Sequence, residues 1–331
     1  MNRLWMAILL ILSAITGIFY WQYRRWLAYH AKRVSADSVI VQTRLGTIEY
    51  DIRGAGQTIL HFHGGNVGHN GWFMLSHLLE KFQIITPNRP GYLGTPLNEN
   101  GSPGAQADLM ASLLDTLQIE RVIVIGVSAG GPAALQFALR HPSKITKLVL
   151  LSAITKQTSL TDEQLNSTLG KLVMTRQFQN PAYFLIHQAM THLPKLTLQD
   201  FVRTETTYDM SEGKQYIERI MADTQQIELV QDLADAMIPA LPRFEGVMND
   251  LHVQQSLQPI PLEDITVPTL IVHSRYDGDV PYENATHAAQ AMPNAKLITV
   301  SQFGHLIWLG DGEVTRDFQN QIETFLSDNI S

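Results

Sequence analysis

The chain has 331 residues, 45% hydrophobic and 17% charged, which supplies a substantial core for one large domain or two and excludes disorder throughout. Its 24 basic and 31 acidic side chains leave a net charge of −7, so no global positive field attracts nucleic acid, which is excluded as the expected partner. Without cysteine, disulfides, thiolate nucleophiles and Cys-ligated zinc are excluded too.

From Leu4 to Tyr23 no residue is charged and most are aliphatic or aromatic, the length a helix needs to cross a bilayer. The run ends in Phe19, Tyr20, Trp21, Gln22 and Tyr23, bulky where a cleaved signal wants small residues, so residues 1–26 are expected to be a retained transmembrane anchor. Trp21, Tyr23 and Trp26 with Arg24 and Arg25 form an interfacial collar. Arg24, Arg25, Lys32 and Arg33 follow the span whereas only Arg3 and the terminal amine precede it, so the positive-inside tendency puts the rest of the chain in the cytoplasm.

Residues 27–38 read as a polar linker. Apolar runs of strand length then fall at 39–43 and 47–52, a hairpin, and at 58–62, 83–86, 122–126 and 148–152. Helical patterns separate several of them, most clearly 107–117, where Leu109, Leu113, Leu114 and Leu117 share one face. Continuous apolar strands alternating with helices predict an α/β fold, a mostly parallel sheet covered on both faces. The alternation stops over 155–262, a helical insertion expected to form a cap, and resumes over 263–331 with strands at 269–273 and 297–300. Residues 315–326 read as a closing helix with Phe318, Ile322 and Phe325 buried. The core is thus expected in two parts, 39–154 and 263–331.

The strongest local signal is Gly126-Val127-Ser128-Ala129-Gly130-Gly131, directly after a strand and before the helical stretch 132–140. A serine at such a corner sits in a tight turn, small neighbours at Gly126 and Gly130 avoid clashes, and the Ser128 hydroxyl stands clear of the sheet. The helix N-terminus and the Ala129 amide favour negative charge beside it. A serine hydroxyl needs a base, and the base a carboxylate. Asp277, in the loop after the strand at 269–273, is the expected acid, with Asp279 as its rival and ordinary Asp-Gly turn chemistry as the alternative for both. His305, after the last strand in Gln302-Phe303-Gly304-His305-Leu306, is the expected base; His141, His187, His192 and His287 have no comparable placement. In His61-Phe62-His63-Gly64-Gly65-Asn66 the glycines let backbone approach a substrate, so the Gly65 and Ala129 amides make the expected oxyanion hole. His61, His63 and His69 also invite a metal reading, but no matching Asp, Glu and His cluster completes a shell, so no metal and no organic cofactor is expected.

With these motifs the chain resembles an α/β-hydrolase of the capped, Ser-nucleophile group, esterase- or lipase-like, over about residues 43–326. The resemblance rests on His63-Gly64-Gly65, Asn88-Arg89-Pro90-Gly91-Tyr92-Leu93-Gly94, the Ser128 corner, and Asp277 with His305. The family often has Asp where this chain has Asn88, and Leu93 is extra. Relatives with an aspartate nucleophile include dehalogenases and epoxide hydrolases, activities that Ser128 argues against. The reaction implied is acyl transfer from a small-molecule or lipid ester to water. Amide or carbon–carbon cleavage, membrane-associated acyl transfer, and non-catalytic binding on the same fold are the rivals, the last disfavoured by three intact triad positions. Phe178, Tyr183, Phe184, Phe201, Tyr208 and the methionines of the insertion are candidates to line an apolar pocket, or simply to pack the cap.

Overall fold

The structure is a computed structural model that describes residues 3–159, 171, 174–301, 304–310 and 312–328. Eight strands form one sheet: β1 (Val39–Thr43), β2 (Gly46–Gly54), β3 (Gln57–Phe62), β4 (Phe82–Pro87), β5 (Val122–Val127), β6 (Ile145–Leu151), β7 (Thr269–Ser274) and β8 (Ala295–Val300). Their order is β1-β2-β4-β3-β5-β6-β7-β8. β1 and β2 pair antiparallel as the expected hairpin, β2 joins β4 antiparallel, and every pairing beyond it is parallel. The central strands are apolar without alternation because both faces are covered: every residue of β5 and of β7 is buried.

Helices α1 (Arg3–Val34), α2 (Pro103–Thr116) and α3 (Gly131–Arg140) lie before β6. One face of the sheet carries a core that includes Leu109, Leu113 and Leu114 of α2 and Phe137 of α3. Leu117, the fourth member of the expected stripe, is partly buried against that core. Between β6 and β7 the described chain is helical: α4 (Gln179–His192), α5 (Pro194–Glu205), α6 (Met210–Ala222), α7 (Thr224–Ala236) and α8 (Phe244–Ser256). These helices contribute Met190, Leu198, Tyr216 and Ile220 to the core of the opposite face, joined there by Phe318 and Ile322 of the closing helix α10 (Gly312–Ser327). Leu326 takes the buried place expected for Phe325, which packs at the margin. The helix α9 (Glu283–Ala291) lies between β7 and β8.

α1 is long and apolar enough to cross a membrane, and none of its apolar window is buried. Its 32 residues reach about 48 Å at 1.5 Å per residue, against roughly 30 Å of bilayer hydrocarbon. The linker expected at 27–38 is therefore helical through Val34. This last stretch docks on the insertion: Trp26 meets Phe184 edge-on at 5.1 Å, and Arg33 pairs with Asp235 at 2.6 Å.

Candidate active site

Ser128 sits at the corner between β5 and α3 with φ +50°, a left-handed conformation that a non-glycine residue adopts only when its surroundings enforce it. The crowding explains the small neighbours. A Cβ on Gly126 would lie 2.6 Å from the Ala134 methyl, and one on Gly130 would lie 2.7 Å from the His63 carbonyl oxygen. The Ser128 carbonyl accepts from Ile154 N at 3.1 Å, fixing the turn to the end of β6.

The loops after β7 and β8 bring the expected partners to this corner. His305 Nε2 lies 2.9 Å from Ser128 Oγ, and His305 Nδ1 lies 2.9 Å from Asp277 Oδ2, forming a continuous relay. Asp277 is 3% exposed and also accepts from Val280 N at 2.7 Å and Asp279 N at 3.0 Å, while His273 Nε2 stands 3.1 Å away. Burial would push the Asp277 carboxyl up, but the charge of His305 and the hydrogen bond from His273 hold it well below the usual carboxylate range. Burial likewise disfavours the charged form of His305, and is outweighed by Asp277 first and Asp279 second, which push its pKa up to about 10. Asp279 is not idle: its Oδ2 lies 3.5 Å from Nε2, the nitrogen that faces Ser128. The two aspartates thus occupy opposite nitrogens of one imidazole.

Gly65 and Ala129 border the same cavity as Ser128, a space of about 550 Å³. Ala129 is in the first turn of its helix, where amides have no helical partner. The Gly65 loop is clamped from behind by Arg89, 1% exposed, which donates to His63 O at 2.8 Å, to Gly64 O at 3.3 Å and to both oxygens of Asp250 at 2.5 and 2.6 Å. Asp250, on α8, also takes the Tyr92 hydroxyl at 2.5 Å. Asn88 has its own logic: its amide donates to the buried Glu49 at 2.8 Å while its carbonyl accepts from His69 N, a pair of roles that an ionised Asp cannot fill. Leu93 adopts φ +50° and donates to Pro242 O, tying that loop to the insertion.

From the insertion, Met174, Val247, Met248, Leu251 and Glu205 reach the cavity. None of Phe178, Tyr183, Phe184, Phe201 or Tyr208 does; Phe184 packs on Trp26 and Tyr208 on Tyr276, Tyr183 and Phe201 line a separate apolar cavity of about 90 Å³ within the insertion, and Phe178 is exposed. Glu205 lay outside the sequence signals altogether. Its carbonyl accepts from His305 N at 2.8 Å and from Gly278 N at 3.1 Å, Thr206 bridges Asp277 antiparallel, and Thr207 N donates to Tyr276 O. Glycine is required at 278 and 304, where a Cβ would collide with this strap. Burial foremost, then the charge of Asp279, pushes the Glu205 carboxyl up to about 8.

The histidines after β3 are engaged elsewhere: His63 Nδ1 faces Gly64 O and Nε2 accepts from Arg89 N, His61 faces Thr86, and His69 contacts Asn88 and Val34 O. Among the described residues the group close enough to share a cation is His30, His187 and Asp235, where α1 meets two helices of the insertion. Arg33 already neutralises Asp235 there, so the group reads as the joint between α1 and the insertion.

The family profile described as alpha/beta hydrolase fold matches residues 57–311. The chain is 34% identical over 267 residues to the uncharacterized hydrolase YcgS of Bacillus subtilis, covering 80% of this chain and 90% of that protein. It is 27% identical to a 2-hydroxy-6-oxononadienedioate/2-hydroxy-6-oxononatrienedioate hydrolase of Paraburkholderia phymatum, covering 78% of this chain and 84% of the relative. In structure it is similar to an alpha/beta hydrolase fold protein of Nakamurella multipartita, with a TM-score of 0.76, 27% identity, and coverage of 88% and 99%.

Proposed function

The chain belongs to the α/β-hydrolase family, and from that premise we propose that it is a serine hydrolase cleaving a carboxylic ester of a small or lipid-like substrate through an acyl-enzyme. The relay Ser128–His305–Asp277, two contacts of 2.9 Å opening on one cavity, carries the reading. His305 Nε2 takes the Ser128 proton as Oγ attacks the carbonyl carbon, and Asp277 fixes the tautomer. The Gly65 and Ala129 amides receive the oxyanion, and Arg89 holds the Gly65 loop in place. The imidazolium then protonates the leaving alcohol, and a water activated by the same nitrogen releases the acid.

The apolar contribution of Met174, Val247, Met248 and Leu251 suits an acyl or alkyl group. The test is a fluorophosphonate probe together with p-nitrophenyl esters of graded chain length and a matched amide panel. Wild type should be labelled and hydrolyse esters fastest; Ser128→Ala should do neither. Full labelling of that variant sinks the nucleophile assignment. Carbon–carbon hydrolysis is the second reading, favoured by the relative named for an oxo-dienedioate, a compound with no ester to cleave. Turnover of such a dienedioate with no ester turnover would establish it.

We further propose that α1 is a retained single-pass anchor, supported by its exposed apolar length, with the hydrolase part on the cytoplasmic side as the basic residues after the span indicate. Protease protection in sealed vesicles reads the side directly. Digestion from the non-cytoplasmic face overturns the orientation and leaves the anchor standing.

A further inference from the structure

Resting on the readings of α1 as an anchor and of Ser128 as an esterase nucleophile, we propose that the insertion enters the leaflet beside α1. The start of α4, with Phe178, Pro181 and Leu185 outermost, is a second membrane contact that feeds esters dissolved in the bilayer toward Ser128. The contacts along α1 give its depth. The uncharged stretch Leu4–Tyr23 makes about 30 Å of helix, which matches the hydrocarbon thickness and leaves Arg24 and Arg25 at its edge. Phe19 stands five residues before Arg24, about 7 Å nearer the bilayer centre. This same Phe19 meets Phe184 of α4 at 5.3 Å; Phe184 is 4% exposed and also packs on Tyr23 at 5.5 Å and Trp26 at 5.1 Å. Phe184 therefore lies at the boundary that the two arginines mark, not above it.

From there α4 leaves the boundary together with α1, since His187 meets the later residues Trp26 and His30, each at 5.5 Å. Residues before Phe184 accordingly lie deeper. Phe178, six residues earlier, is deeper by up to about 9 Å, within the roughly 5–10 Å to which interfacial helices immerse. Phe178, Pro181, Leu185, Gln188 and His192 follow the spacing of one helical face. Its deep half is apolar and exposed, Phe178 by 52% and Leu185 by 56%, and its outer half is polar. Leu241, itself exposed, joins the deep half because its amide donates to Asn180 Oδ1 at 3.0 Å. The stripe changes character between Leu185 and Gln188, at the level of Arg24 and Arg25. A bilayer edge imposes that gradient, whereas docking on a second protein would have no reason to follow the depth of the span.

The same contact borders the route to the nucleophile. Met174 lines the Ser128 cavity, and one turn separates it from Phe178, closed by Phe178 N donating to Thr175 O at 2.9 Å. Met174 and Met248, the second methionine of the cavity, both reach its outer surface. Apolar side chains thus run from the immersed end of α4 to the cavity, and an acyl chain can follow them without crossing water. The substrate class that fits is a long-chain ester that partitions into the bilayer, rather than a water-soluble one.

Because the chain has no cysteine, one bimane label can be placed at a single introduced cysteine in the full-length protein. Phe178→Cys and Leu185→Cys are compared in phosphatidylcholine vesicles containing doxyl-labelled lipid, with Ser13→Cys in the span and His192→Cys at the polar end as controls. The lipid nitroxide should quench the labels at 178, 185 and 13 strongly and the label at 192 little. Quenching at 13 without quenching at 178 and 185 overturns the second contact and leaves the anchor standing; blue-shifted emission there would name a second copy or another protein as the cover. No quenching at 13 overturns the anchor reading. The feeding role is tested with 4-methylumbelliferyl oleate dissolved in the vesicles and 4-methylumbelliferyl butyrate in water. Phe178→Glu combined with Leu185→Glu, neither of which borders the cavity, should lower oleate turnover about tenfold and leave butyrate turnover unchanged. Equal loss on both esters, or on neither, overturns that role. Absence of Ser128-dependent turnover of both esters in the unsubstituted protein overturns the esterase reading instead.

Discussion

Removing the Asp250 carboxylate should be among the most damaging single changes in the molecule. Arg89 is 1% exposed, and Asp250 takes two of its hydrogen bonds while joining α8 to the loop after β4. Asp250→Ala strands a guanidinium in the interior and leaves the Tyr92 hydroxyl without its acceptor. Breaking a buried pair by deleting one partner costs about 3–5 kcal/mol, because the surviving charge is uncompensated. For a chain of this size that loss corresponds to a fall in thermal midpoint on the order of 10 °C. The solvent-exposed pair Arg140–Asp108, with side chains 48% and 29% exposed, supplies the control: Asp108→Ala should remove no more than about 1 kcal/mol. Differential scanning fluorimetry of the two variants beside wild type reads the contrast. The double change Arg89→Met with Asp250→Leu should recover much of the loss, since paired removal leaves no orphaned charge. If Asp250→Ala falls no further than Asp108→Ala, the clamp is not holding the insertion to the core. The same variant should lose turnover, because Arg89 also fixes the carbonyls of His63 and Gly64 behind the Gly65 amide.

The acidic limb of the kcat/KM profile should report His305, whose pKa is raised by Asp277 and Asp279, so activity rises with pH to a plateau on the alkaline side of the usual imidazole value; a limb below pH 6 contradicts the charge arrangement. Asp279→Asn removes one anion from beside Nε2, so the imidazolium is less favoured and the limb should move to lower pH, with turnover otherwise little changed for neutral esters. Asp277→Asn should instead lower turnover about 10⁴-fold through the wrong tautomer; the opposite ranking of the two variants makes Asp279 the acid. Deleting residues 1–18 should yield a detergent-free monodisperse protein with an unchanged thermal midpoint, whereas deleting residues 1–34 bares Phe184 and removes the Arg33–Asp235 pair, and should lower the midpoint or cause aggregation in size-exclusion chromatography. Equal behaviour of the two truncations denies α1 any role in docking.

The sheet was legible because a parallel strand buried on both faces leaves an unbroken apolar run, as in β5 and β7, and the runs end within a few residues of the observed strands. The corner at Ser128 was legible because steric crowding there dictates glycine at fixed positions. Elsewhere the signal is faint. α9 buries only Asn284, Ala285 and Ala288, too small a stripe to stand out. The helical continuation of α1 through Val34 has no uniform apolar face, since it docks by single contacts from Trp26 and Arg33. Asp277 and Asp279 lie two residues apart and both reach His305; what separates them is which ring nitrogen each faces, a property of the folded loop. Glu205 has no motif at all, because its place depends on how the end of α5 lies across two loops from distant parts of the chain. Residues Gln302 and Phe303, part of the stretch that announces His305, lie outside the described residues.

The strap of Glu205–Thr207 makes the insertion a poor candidate for exchange. In a modular protein a lid can be swapped between relatives to trade one specificity for another, because hinge residues are its main attachment to the catalytic body. Here Glu205 accepts from the backbone of both the Asp277 and the His305 loops and Thr207 donates to the Asp277 loop, with Thr206 set against Asp277 between them, and Gly278 and Gly304 leave the room that this strap needs. A chimera carrying a foreign insertion would therefore inherit an unsupported pair of loops as well as a new pocket. Engineering of this enzyme's selectivity is better directed at side chains facing the cavity, such as Met174 or Met248, with the strap kept whole.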